Sequence, residues 1–164
     1  MDHLETKTSF WKDYKPLIII VLYCLLLSFI PKETSAVSYL FMGYFFIFFS
    51  LFKFFDLDGF VEGFSKYDII AKKSRVYGYV YPFLELFLGI SYLESSNIVL
   101  TNILTFILME ISGVGVILSI KSGRKIKCAC LGNILNVPLS VVSIVENFGM
   151  GAMALYHLVM TFAI

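Results

Sequence analysis

Long apolar runs alternate with short polar stretches along this chain, and the lengths of the runs predict helices that cross a membrane. Residues 17–30 are apolar apart from Ser28. At about 1.5 Å of rise per residue this run is short for a hydrocarbon core of about 30 Å, so the helix is expected to begin near Phe10, with Lys12 and Lys15 snorkelling. Trp11 and Tyr14 stand where interfacial aromatic anchors belong. A second run, 37–52, is dense in Phe and passes into Lys53. Between 58 and 75 the pattern changes: Phe60, Phe64, Tyr67 and Ala71 recur at helical spacing while Glu62, Lys66, Lys72 and Lys73 fill other faces. That predicts an amphipathic helix lying in the membrane interface. Further spans are expected over 76–93, with Pro82 and Glu85, and over 98–120, with Asn102 and Glu110. There, Gly113, Gly115 and Ser119 would allow close helix approach. Asn136 and Pro138 mark the start of a fifth span that continues to residue 164.

Composition agrees with the pattern. The 164 residues are 59% hydrophobic, 17% aromatic and 15% charged, far more apolar than a soluble domain of this size requires. The expected fold is an all-α integral membrane protein with five spans: a four-helix transmembrane bundle over 37–164, one extra N-terminal transmembrane helix within 1–36, and one interfacial helix. No repeat or linker divides it further. A cleaved leader is the rival reading of the first segment, since Thr34 and Ala36 imitate a small-x-small site, but the acidic start at Asp2 and Glu5 favours a retained helix.

Net charge is only +1, and its distribution is more informative. Five spans place twelve of the thirteen Lys and Arg on one side and Lys32 alone on the other. The positive-inside rule then puts the N-terminus and the 121–127 loop in the cytoplasm and the C-terminus outside the cell, in a multi-pass protein of the inner (plasma) membrane. The basic residues form no patch apart from these loops, which excludes a nucleic-acid role. Three cysteines are too few for a secreted disulfide framework, and Cys24, inside an apolar run, reads as packing.

The candidate chemistry centres on Cys128-Ala129-Cys130, followed by Gly132 and preceded by Arg124, Lys125 and Lys127. Two thiols one residue apart can close a strained disulfide, exchange with an external one, or offer soft sulfurs to Cu(I) or Hg(II). Neighbouring cations favour the thiolate. Cys128 and Cys130 are therefore the reactive candidates, as the catalytic pair of a thiol-disulfide oxidoreductase component or as soft-metal ligands, with Lys125 and Lys127 in support.

Carboxylates at bilayer depth are costly unless protonated, paired or wetted. Glu85, Glu110 and Glu146 fall on three helices and could converge as a proton relay, a cation site or a contact for a quinone headgroup; Lys53 joins them as a supporting residue. Equally, each could be protonated and bonded to a neighbouring helix, with Asn102 or Asn147 as partner. Glu146, Met150, Met153 and His157 share one face of the fifth span. With Cys128 and Cys130 they make the alternative metal set, for relay of a soft metal ion, although a Met stripe is more often packing.

Several of these stretches resemble the DoxX-like superfamily, most closely the methylamine utilisation protein MauE family of redox-associated membrane proteins. The carriers are Lys53-Phe54-Phe55-Asp56, the Phe60 to Tyr67 segment, Pro82-Phe83-Leu84-Glu85 with Gly89, and Cys128-Ala129-Cys130-Leu131-Gly132 ahead of Val145-Glu146-Asn147. Leu131 stands where the family usually has Phe. The resemblance implies a four-helix membrane bundle and a part in disulfide formation or electron transfer during maturation of a partner, in a methylamine-utilisation-like context. The expected partners are the lipid bilayer and a soluble thiol-disulfide or metal-carrying protein; the sequence does not specify an oligomeric state. The rival function is transport or handover of a soft heavy-metal ion by the same cysteines.

Overall fold

The computed structural model describes residues 2–30, 37–123 and 141–163, with side chains from residue 15 in the first segment and from 143 in the last. All regular structure among the described residues is helical: α1 (Asp2–Ser28), α2 (Val37–Phe55), α3 (Leu57–Phe64), α4 (Arg75–Leu93), α5 (Ile98–Lys121) and α6 (Val141–Ala163). Three of them, α2, α4 and α5, are long and apolar enough to cross a membrane by length and composition. The boundaries expected for these three are met within about one turn. In contrast, α1 begins at Asp2 rather than near Phe10 and carries Pro16 inside it.

The helices pair antiparallel. α2 runs along α4, and glycines set the separation: a methyl group on Gly89 would stand 3.0 Å from the Gly43 carbonyl oxygen. α5 runs along α6, where Gly113 faces Phe148 and Gly151 makes room for the Glu110 carboxylate. α1 leans on α2, as at the Tyr23–Phe48 ring contact. Met42, Phe46, Phe49, Tyr81, Leu88, Met109, Val116 and Met150 fill the interior. Leu26, Phe83, Phe87, Leu100, Ile107 and Phe162 point outward. Apolar side chains on both faces mean that the outer surface suits hydrocarbon rather than water.

The amphipathic segment differs most from expectation. Instead of one helix over 58–75, α3 has eight residues and gives way to successive turns over 65–73. Asp56 starts α3 by accepting a hydrogen bond from the Gly59 amide. Asp68 shapes the turns, its Oδ1 accepting from the Ile70 and Ala71 amides at 2.9 and 2.8 Å. A side chain that satisfies backbone donors in this way competes with helix continuation. The apolar positions read as a lipid-facing stripe are also turned inward: Phe60, Phe64, Tyr67 and Ala71 are all buried, and Val61 with them. α3 and its turns close one end of the bundle, and their backbone touches α5 at Gly115, where a methyl group would meet the Tyr67 carbonyl oxygen at 2.6 Å.

Candidate functional site

Beneath α3 lies a small polar cavity with mostly aromatic walls. Lys53, near the end of α2, and Glu85, on α4, meet there as a buried ion pair. Their exposures are 3% and 4%, so neither charge is shared with solvent. Lys53, counted with the loop-side cations and also named as a supporting residue of the carboxylates, has its charge inside the bundle. One turn before the end of α2, on the face that meets α4, its long side chain reaches inward instead of snorkelling out. The ammonium stands 5.2 Å from the Tyr81 ring centroid and 5.5 Å from that of Phe60, within reach of cation–π attraction.

Glu85 is fixed by helix spacing. It lies one turn beyond Tyr81 and shares the buried face with Tyr81, Gly89 and Tyr92. Pro82 lies on the same buried face and removes a backbone donor from α4. Glu146, on the first turns of α6, lines the same cavity and is drawn electrostatically to Lys53. Its Oε1 is shut off from solvent and has no hydrogen-bond partner. The cavity measures about 30 Å³, with Ser112 and Asn147 also on its wall. That is room for a water molecule or two and not for a quinone ring.

Of the three intramembrane carboxylates, the fold therefore brings together Glu85 and Glu146, with Lys53 between them. Glu110 stands apart over Gly151 on the α5–α6 seam, partly exposed. The asparagines expected as carboxylate partners serve elsewhere. Asn147 donates to the Ser143 carbonyl at 2.8 Å, and Asn102 accepts from the Tyr92 hydroxyl at 2.8 Å. Glu146, Met150, Met153 and His157 follow α6 away from this cavity. His157 lies at the opposite end of the bundle, where Nε2 pairs with Ser38 Oγ at 2.8 Å and the ring stacks on Tyr39. Among the described residues no group of three His, Cys, Asp or Glu could hold a metal ion. Cys24 is buried and free, as packing requires.

Arg124, Lys125, Lys127, Cys128 and Cys130 lie outside the described residues. Their anchor points are described: α5 ends at Lys121 and α6 starts at Val141. Both belong to the end of the bundle that holds α3, Lys53 and Glu146. Sequence reasoning named the charged residues of the cavity, and Tyr67 on the segment that closes it, but gave Tyr81 no part in the site. The available signal was the i, i+4, i+8 repeat of Tyr77, Tyr81 and Glu85 on one face of α4. It also missed Asp68, whose carboxyl is raised above the ordinary range by burial, against the pull of the Ala71 and Ile70 amides and of Lys72.

Comparison with known proteins agrees with this architecture. The family model described as methylamine utilisation protein MauE matches residues 31–160, so the chain belongs to that family. No curated protein and no solved structure matches it.

Proposed function

We propose that this MauE-family membrane protein is the thiol-disulfide component of a maturation pathway, with Cys128 and Cys130 as the exchanging pair and methylamine utilisation as its context. The observation that carries the reading is the placement of the dithiol's two anchors. Lys121 and Val141, the helix ends that flank the segment, lie at the end of the bundle where buried charge is concentrated, which supports the reading, as does the basic run beside the cysteines, which favours thiolate. In the exchange, one thiolate of a reduced partner attacks the Cys128–Cys130 disulfide and a mixed disulfide forms. The partner's second thiolate then displaces it, so the partner leaves oxidised and the pair is left as two thiols, with no net loss of electrons. A membrane quinone or a soluble disulfide is the class of acceptor that would restore the pair.

The topology belongs to the same proposal. With Lys53 buried, eleven loop and tail cations remain on the dithiol side against Lys32 on the other. That supports five spans with a cytoplasmic dithiol and an extracytoplasmic C-terminus. The family match begins at residue 31, which supports reading α1 as an addition to a four-helix domain.

The test is substitution of each cysteine by Ser, followed by mass spectrometry after differential thiol labelling and metal analysis of the same sample. We expect either change to abolish partner maturation with membrane assembly intact, and one of the two to trap a mixed disulfide. Stoichiometric soft metal on the wild type, lost in both variants without a trapped species, would establish the handover reading instead. Full activity of the double Cys→Ser variant would overturn both.

A further inference from the structure

Among the described residues, the cavity holds one cation and two carboxylates, walled by Phe45, Phe49, Phe60 and Phe64. With all three groups ionised it would carry an uncompensated negative charge, which a low-dielectric enclosure disfavours far more than protonation. The two carboxylates are not equivalent. Glu85 is paired directly with the Lys53 ammonium, whereas, among the described residues, Glu146 has only through-space attraction to Lys53 and an Oε1 without a partner. Tyr67 also faces the cavity from the turns after α3; α5 contributes Ser112 and Met109, neither of which titrates near neutrality.

We propose that Lys53, Glu85 and Glu146 form a binding site for one exchangeable proton, resident on Glu146, and that the tyrosines of α4 connect it to the α3 end of the bundle. Tyr81 lines the cavity beside Glu85, and its ring centroid lies 5.8 Å from that of Tyr77 one turn nearer that end. The Tyr77 hydroxyl and Asp68 Oδ2 are both buried and without hydrogen-bond partners among the described residues, and they interact electrostatically with each other. Water entering a cavity of about 30 Å³ would complete the path. One O–H bond breaks as another forms and no electrons are gained or lost: the proton passes between oxygens as the cluster alternates between neutral and singly negative. The site stands whether or not the dithiol cycles, since none of its groups is a cysteine.

Infrared spectroscopy of the purified protein in lipid nanodiscs at neutral pH tests this directly, with Glu110→Gln present throughout to remove another protonated carboxyl and any Asp68 band assigned from a separate Asp68→Asn sample and subtracted. The expected result is a protonated-carboxyl band that shifts in D₂O. Glu146→Gln should abolish it. Glu85→Gln should abolish it too, because Lys53 then holds Glu146 as the carboxylate. Lys53→Met should raise it about twofold, since two carboxyls then lack a cation. If Lys53→Met does not fold, the Glu85→Gln and Glu146→Gln pair decides. A band that survives Glu146→Gln, fails to exchange in D₂O, or appears only when alkali cations are removed would overturn the proposal, the last result assigning the site to a metal cation.

Discussion

The two ends of the bundle are built from similar aromatic helices but solve the problem of buried polarity in opposite ways. At the end away from α3, the groups that meet are neutral. The Tyr92 hydroxyl bonds Asn102 Oδ1 at 2.8 Å and shares a hydrogen bond with Thr105 Oγ1 at 3.0 Å, while His157 pairs with Ser38 and stacks on Tyr39. At the α3 end, charged groups meet around a cavity. Of six buried side-chain polar atoms without a partner among the described residues, only Asn102 Nδ2 is at the neutral end. Ser65 Oγ, Asp68 Oδ2, Tyr77 OH, Ser119 Oγ and Glu146 Oε1 are all at the other. An unmade hydrogen bond costs more than a made one contributes, so such atoms accumulate where stability is not the only requirement. The neutral end fastens four helices together; the charged end retains acceptors for water and protons.

The sharpest way to break this contrast is to remove one polar group from each end and compare unfolding in detergent. Lys53→Met takes the cation from two buried carboxylates and should destabilise by about 3–5 kcal/mol, with much of the loss recovered when Glu85→Leu is added. Tyr92→Phe leaves Asn102 and Thr105 short of a partner and should cost about 1–3 kcal/mol. Equal losses from the two single changes would mean that the ends do not differ in the way their burial suggests.

A smaller effect isolates the closure of the charged end. Gly115→Ala sets a methyl group against the Tyr67 carbonyl oxygen and the Asp68 Cα, both backbone atoms that cannot swing aside. The cost should be about 1–3 kcal/mol, and hydrogen exchange should quicken over 65–73 before it changes at Tyr92. Uniform quickening would show that the turns are not a separate closure.

The smallest effect depends on pH. Burial raises the Asp68 carboxyl, so the folded state binds that proton more tightly than the unfolded chain. Its contribution to stability is then full below the ordinary value of about 4 and is lost as pH rises through the raised one. Asp68→Asn keeps an acceptor for the Ile70 and Ala71 amides and carries no charge. It should therefore stabilise by about 1 kcal/mol at neutral pH, an advantage that vanishes in acid. An advantage independent of pH would mean that Asp68 is not buried as an ionisable group.

The sequence by itself determined that the chain is a helical membrane protein, which family it belongs to, and where α2, α4 and α5 lie. Those properties follow from local runs, 3.6-residue spacing and short motifs, which need no knowledge of neighbours in space. It also marked Glu85 for the interior, because a carboxylate amid apolar residues must be compensated wherever the helix packs. Only the tertiary structure decided the compensation. Lys53 and Glu85 are thirty-two residues apart and on different helices, and nothing in the Lys53 neighbourhood distinguishes it from a cation that snorkels to water. The same holds for the segment after Asp56. Its spacing correctly announced one apolar face, but whether that face meets lipid or the bundle depends on the room α5 leaves at Gly115, and on the Asp68 side chain that ends the helix early. Periodicity reports that a surface must be covered; packing alone decides by what.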